Sequence, residues 1–440
     1  MNQNHQEEAG AILETAESIT EVTTEITADG LDYSAYASSG GEGNAANGPV
    51  AKLSAESLDS LSAIFAQKGA KSAVDILCQE LLNCKDPTSL FYARLMQFRI
   101  ENNLSPFPNQ NVSEIPESLH EAYENTIRSA GREAAKLWLE LGNYQASWSY
   151  YRMLGETESM VAVLEEYTDT SERDPQAIID LAYYQGVHVV KGFSLILNRY
   201  GICNAITAYS SQDWSKYPAE RQICIALLVK NLYDQLSERL YHELQNLGVA
   251  STSSESRPSV EEMVNGHPEL FDGYSYHIDT SHLSSICQFA LELQTGPEVA
   301  SARELCLYGE KLGESFQMSL GEPFEKGYID FRKLLEIIDG VEVEANLEYF
   351  RAKIDPAASL GRSFPAEVFV NLLLRLDRLP EALLIAKTYL LNLEHSLICP
   401  SLYELCEQAK DYKIWAESAK ERRDGVYYLA NLIQLGQKNP

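Results

Sequence analysis

The sequence predicts an all-α fold, and three observations carry that prediction. Apolar residues recur three and four positions apart in one segment after another, which is the period of an amphipathic helix. Prolines stand where these segments begin, and glycines stand where several of them end. Alternating apolar and polar residues between Asn-Gly or Asp-Gly turns, which are typical of strand hairpins, are nearly absent. We therefore expect antiparallel helix hairpins joined by short loops.

Residues 1–52 are predicted to form a disordered acidic tail. They are rich in Glu, Thr, Ala, Ser and Gly, and they carry nine acidic residues against a single lysine, Lys52. Such a composition buries too little apolar surface to offset the entropy lost when the chain becomes ordered. The expected role of this segment is that of a solubilising tail.

Residues 53–248 are predicted to form a first helical repeat region. Ser54 is placed to cap the first helix, because its hydroxyl can accept a backbone N–H of the first turn. Gly69 is expected to end that helix, and a second helix follows over residues 70–82. Further helices are predicted from Pro87 onwards and over residues 116–141, 143–152, 156–167, 175–186, 187–200 and 218–247.

Residues 249–260 are predicted to form a linker, because Ser, Thr and Pro dominate their composition. The main domain boundary is placed there. A C-terminal helical repeat region, residues 261–440, continues the same pattern, with Pro297, Pro323, Pro365, Pro380 and Pro400 at helix starts. Its predicted helices span residues 281–294, 298–312, 324–338, 343–353, 364–377, 380–393, 400–409, 411–422 and 425–435.

Three hairpins share a pattern of an apolar residue, a small residue three positions later and an apolar residue four positions after that. The pattern occurs at Ala70/Ala73/Leu77, Tyr144/Ser147/Tyr151 and Leu379/Ala382/Ala386. In this respect the chain resembles the tetratricopeptide-repeat (TPR) family. The resemblance implies a TPR-like α-solenoid of stacked helix pairs whose concave surface binds peptides or proteins. A non-repetitive helical bundle is the alternative architecture.

The charge balance limits the classes of partner. With 35 basic and 64 acidic residues the formal charge is 35 − 64 = −29, which opposes binding to nucleic acid and to anionic membranes. Eight cysteines are scattered without a CxxC pair, which indicates a reducing compartment. Neither a secretory signal nor an apolar run long enough to cross a membrane is visible, so the expected location is cytoplasmic.

The most chemically loaded segment is residues 277–282. His277, Asp279 and His282 could supply two imidazoles and a carboxylate to a divalent metal such as zinc or iron, and His188 could be a remote fourth ligand. The alternative is that Asp279 or Thr280 caps a helix and the histidines are hydrogen-bonded packing residues. Under that alternative the segment holds no cofactor.

A second segment suggests a nucleophile. Cys203 beside a histidine could form a reactive thiolate that Asn204 orients, although a cysteine between Ile202 and Ile206 is more typical of a helix core. The leading functional hypothesis is a scaffold that binds a protein or peptide. The alternatives are a metal-dependent hydrolase with its site at residues 277–282, completed by His188, and a sensor that holds a small molecule in an aromatic groove.

Overall fold

The computed structural model describes residues 52–107, 115–170, 174–249, 257–272, 275–318, 320–392 and 398–437. Every regular element in these ranges is helical, and no strand occurs in them, so the predicted all-α class is confirmed. The acidic tail predicted for residues 1–52 lies, except for Lys52, outside the described residues. No helix in the described ranges is both long enough and apolar enough to cross a membrane.

The chain divides into two compact units, residues 1–188 and 189–440. The boundary expected at residues 249–260 therefore differs from the division that the contacts give. The helices on either side of that segment, Pro218–Asn246 and Val260–Gly266, contact each other within the second unit. A polar composition marks residues 249–260 as a loop, but it does not show whether the helices that flank a loop share a core.

The first unit is a succession of helices in which each of the first five packs against its neighbour along the chain, and the sixth packs against the fourth. Its central helix, α2, contacts α1 on one side and α3 on the other, so its buried residues Leu90 and Leu95 face two different partners. The helices are α1 (Ala55–Cys84), α2 (Pro87–Glu101), α3 (His120–Glu140), α4 (Tyr144–Met153), α5 (Thr157–Glu166) and α6 (Gln176–Ile179), and a single π-helical turn, Asp180–Tyr184, follows α6.

Helix α1 consists of two straight segments with a break at Gly69, as the sequence predicted. Gly69 has φ 83° and ψ 178°, a conformation open essentially to glycine alone. The Ser54 hydroxyl accepts the backbone N–H of Ser57 at 3.1 Å, which confirms the predicted N-cap. Because of this break, the two segments of α1 do not form one continuous helix.

The second unit is organised around its longest helix, α8. Helices α7, α9, α10 and α11 all contact α8, and its buried residues recur every three or four positions from Cys224 to Leu244. The helices are α7 (Val189–Ser211), α8 (Pro218–Asn246), α9 (Val260–Gly266), α10 (Thr280–Ala290), α11 (Pro297–Lys311), α12 (Tyr328–Ile338), α13 (Val343–Arg351), α14 (Ile354–Ser359), α15 (Phe364–Arg375), α16 (Leu379–Tyr389), α17 (Leu402–Ala409), α18 (Tyr412–Glu421) and α19 (Gly425–Gln437).

Most of these helices lie within a few residues of the predicted bounds, but α7 extends to Ser211, beyond the predicted end at residue 200, and the short helix α9 was not predicted. Pro323 does not begin a helix: it follows a cis peptide bond, and α12 begins only at Tyr328. The short helix α14 was also not predicted; it holds Pro356 in its first turn, where no N–H is needed. From α15 to α19 each helix again contacts its successor in the chain.

Candidate functional site

An apolar groove lies between α1 and α2 in the first unit. Its outer wall is the first segment of α1, residues 55–68, in which no residue is buried. Leu58 and Phe65 on that segment are 54% and 60% exposed, although their spacing is that of a helix that packs against a core. The groove therefore exposes side chains that a closed helical unit would bury.

The groove extends over two cavities. It consists of two adjoining cavities of about 540 and 380 Å³, which share the side chains of Leu77, Met96 and Pro106. Leu77 comes from the second segment of α1 and Met96 from α2, so both helices contribute to the shared part of the groove. The other apolar lining residues are Leu53, Leu58, Leu61, Phe65, Ala70, Ala73, Val74, Leu81, Ala93, Ile100 and Phe107.

The lining of the groove is almost uncharged. One cavity has Lys52 and Asp86 as its charged lining residues, and the other has none. The carboxylate of Asp86 is already engaged as the N-cap of α2, where it accepts the N–H and the hydroxyl of Ser89 at 3.0 and 2.6 Å. A ligand in this groove would be held by apolar contact and not by ion pairs.

A larger polar cavity of about 750 Å³ lies on another side of α2, between α2 and α3. Its main cation is already paired: the Arg94 guanidinium donates to both carboxylate oxygens of Glu133, at 2.9 and 3.0 Å. That carboxylate raises the pKa of Arg94 further. Because a charged ligand would have to compete with this bidentate pair, the apolar groove is the better candidate for binding.

The predicted metal ligand Asp279 serves as the N-cap of α10. Its Oδ1 accepts the Ser281 N–H at 2.8 Å, the Ser281 hydroxyl at 2.5 Å and the His282 N–H at 3.3 Å. These hydrogen bonds, that of the Ser281 hydroxyl most of all, lower the pKa of the Asp279 carboxyl. The capping role that the sequence offered as an alternative is therefore present.

His277 packs between α8 and α11. Its backbone N–H donates to the Tyr308 hydroxyl oxygen at 2.8 Å, and its Nδ1 lies 3.1 Å from the same oxygen. Because that oxygen already accepts the backbone N–H, we assign the hydroxyl proton to Nδ1, which fits a neutral imidazole. Burial lowers the pKa of His277 and favours the same neutral form.

His188, the predicted remote ligand, belongs to the first unit, whereas residues 277–282 belong to the second. Its backbone N–H donates to the Ala182 carbonyl at 3.0 Å, and its Nε2 lies 3.7 Å from a carboxylate oxygen of Glu165. Among the described residues no three His, Cys, Asp or Glu side chains form a group that could hold a metal ion. The metal site stays a prediction.

Cys203 is exposed, so the expectation that it is a core residue is wrong. The break in α7 at Gly201, with φ 80° and ψ 176°, resets the helix so that Ala205 and Tyr209 face the core and Cys203 faces outward. Asn204 donates its side-chain N–H to the Tyr200 carbonyl at 2.7 Å, a local contact across the same break. The catalytic role suggested for Cys203 and Asn204 stays a prediction.

The groove was not predicted from the sequence, although the sequence carried a signal for it. The helical spacing of Leu58, Leu61 and Phe65 was taken to indicate packing in a core. Spacing identifies an apolar face but not its partner, and among the described helices of the unit the main contacts of α1 are with α2. Comparison of the chain with protein-family models, with curated proteins and with solved structures gave no match.

Proposed function

We propose that this protein is a scaffold that binds an amphipathic helix of another protein in the groove between α1 and α2. The observation that carries the proposal is the half-exposed, almost uncharged lining of that groove, with Phe65 at its rim. Helices that dock in grooves present apolar residues at positions i, i+3, i+4 and i+7, and they leave their polar face in solvent. The bound helix would cover the side chains that α1 leaves exposed.

We also propose that the helix pairs within each unit stack in the TPR-like manner. Two observations support this arrangement: most consecutive helices contact each other, and small residues lie at the central positions of the repeated pattern. Ser147 in α4 and Ala382 in α16 are both fully buried, which lets the neighbouring helix approach closely. All eight cysteines are free thiols, which supports a reducing, cytoplasmic location as part of the same proposal.

The test uses peptides of about 15 residues from a display library, each with apolar residues at i, i+3, i+4 and i+7. Peptides are selected on the wild-type protein, and their affinities are then measured for Phe65→Asp by fluorescence anisotropy. We expect about tenfold weaker binding or more, because the carboxylate would be desolvated beneath the peptide.

A matched control is available in the same unit. Tyr184 is also aromatic and also 60% exposed, and it does not line the groove. Tyr184→Asp should leave peptide affinity unchanged. The proposal would be contradicted if the peptides bound Phe65→Asp as tightly as the wild type. It would also be contradicted if Tyr184→Asp weakened peptide affinity as much as Phe65→Asp does.

The metal-dependent hydrolase stays a second prediction, which no contact in the described residues favours. Metal analysis of the purified protein tests it. Stoichiometric zinc or iron that is lost in both His277→Ala and His282→Ala would support the site. Metal-free protein would count against it.

A further inference from the structure

Helix α19 presents an uncovered apolar face. Its residues Val426, Leu429 and Ile433 are 78%, 59% and 51% exposed, and Ala430 between them is also exposed. These four occupy positions i, i+3, i+4 and i+7, so they form one continuous stripe along the helix. Such a stripe on a helix surface is the pattern by which helices recognise one another.

The opposite face of α19 packs on its own unit. Asn431 is buried, and Tyr428 and Leu435 are half-buried on the same side of the helix. The carboxylate of Asp424 caps the first turn by accepting the N–H groups of Val426 and Tyr427, both at 3.1 Å. The helix is therefore anchored in place, and its apolar stripe is presented by a fixed element.

Charge indicates what covers the stripe. The chain carries a net charge of −29, so two copies repel each other wherever their acidic surfaces meet. Residues 425–437 contain no charged residue, so copies can meet through α19 without that cost. A basic partner, which the acidic surface would attract elsewhere, gains nothing from an uncharged helix.

The residues that flank α19 favour an antiparallel pair. Arg422 and Arg423 are exposed just before the first turn of the helix. In an antiparallel arrangement the arginines of one copy lie beside the carbonyl end of the other copy's helix, which carries partial negative charge. The two sets of arginines are then held apart by the helix length, about 20 Å for 13 residues.

We propose that the protein forms a two-fold symmetric homodimer in which α19 of one copy packs antiparallel on α19 of a second copy. The stripe from Val426 to Ile433 is self-complementary under a two-fold axis near Leu429 and Ala430, which lie at the middle of the stripe. This interface belongs to the second unit, whereas the groove between α1 and α2 belongs to the first. The dimer therefore presents two copies of the proposed peptide-binding groove.

The first experiment measures the mass of the full chain by sedimentation equilibrium across the micromolar range. We expect a reversible monomer–dimer equilibrium for the wild type and about 100-fold weaker association for Leu429→Asp. The substitution occurs twice in a symmetric interface, and each carboxylate would be desolvated there. Because Leu429 is exposed in the monomer, the variant should fold normally.

The matched control is Leu384→Asp, an exposed leucine of the same unit on helix α16 with 57% exposure. It adds the same charge without touching α19, so its association should equal that of the wild type. A wild-type chain that stays monomeric at every concentration would overturn the proposal. A dimer that Leu429→Asp leaves intact, or that Leu384→Asp weakens equally, would also overturn it.

The second experiment tests the two-fold symmetry. Ala430→Cys is introduced into a Cys203→Ser background, which removes the exposed native thiol of the second unit. Cysteines near the two-fold axis should form a disulfide-linked dimer under mild oxidation, whereas the Cys203→Ser chain alone should not. If sedimentation shows a dimer but the cysteines do not form this cross-link, the copies meet through a different contact. That result would contradict the antiparallel pairing.

Discussion

Helices α1 and α8 have nearly the same length, 30 and 29 residues, yet they differ in how many of their side chains are buried. Helix α8 is unbroken, contacts four other helices and buries a side chain at almost every turn. Helix α1 is broken at Gly69, and its three buried residues, Val74, Cys78 and Leu81, all lie in its second segment. A leucine-containing helical face is thus part of a core when other helices surround it, and it stays exposed when one side is left open.

The largest difference between these helices should appear when a core leucine is truncated. Leu228→Ala in α8 removes a fully buried side chain and should lower the free energy of unfolding by about 2–5 kcal/mol. Urea denaturation followed by circular dichroism measures the change. Ile223→Ala, on the same helix but 48% exposed, should change it by about 0.5 kcal/mol or less. Equal decreases in the free energy of unfolding for the two variants would mean that α8 is not the centre of its unit.

The two helix breaks offer a matched pair of substitutions. Gly201 in α7 has the same backbone conformation as Gly69 in α1, and no atom lies within 4 Å of an added Cβ at either position. Gly201→Ala should cost about 1–3 kcal/mol, because buried residues hold both segments of α7 in place.

Gly69→Ala should cost less than Gly201→Ala, because the first segment of α1 has no buried residue and can move to relieve the strain. The same movement should displace one wall of the groove and weaken the selected peptides. Thermal denaturation and the peptide-binding assay measure the two effects. A Gly69→Ala variant with full peptide affinity would show that the break does not shape the groove.

Within α1 itself, exposure should separate stability from binding. Phe65→Ala removes a side chain that is 60% exposed and should change the free energy of unfolding by about 0.5 kcal/mol or less. Val74→Ala, at a buried position of the second segment, should cost about 1 kcal/mol or more. Chemical denaturation of both variants measures which substitution lowers the free energy of unfolding more. If Phe65→Ala were the more destabilising, the first segment would be part of the core.

The smallest expected effect concerns the pH dependence that His277 contributes to the second unit. Burial lowers the pKa of His277 in the folded chain, so the unfolded chain binds the proton more readily. The associated stability is present above the ordinary histidine pKa of about 6.5 and is lost as the pH falls below it. His277→Asn should flatten the loss of stability between about pH 6.5 and pH 5. An unchanged slope would show that other groups cause it.

Much of the secondary structure was determined by local sequence. Pro218 and the apolar period that follows it predicted a helix over residues 218–247, and α8 spans Pro218–Asn246. Ser54 and Gly69 were assigned their roles correctly, because a capping hydroxyl and a glycine-only conformation depend on a few neighbouring residues. These features need no knowledge of what packs against the helix.

Tertiary structure alone decided which apolar faces are covered. The spacing of Leu58, Leu61 and Phe65 resembles that of α8, yet in the structure Leu58 and Phe65 are exposed and line the groove. The sequence alone left Asp279 as either a metal ligand or a helix cap. In the structure its carboxylate accepts the backbone N–H groups of Ser281 and His282, which are the contacts of a cap. The sequence determines local conformation because its causes lie within a few residues, whereas burial depends on partners that are distant along the chain.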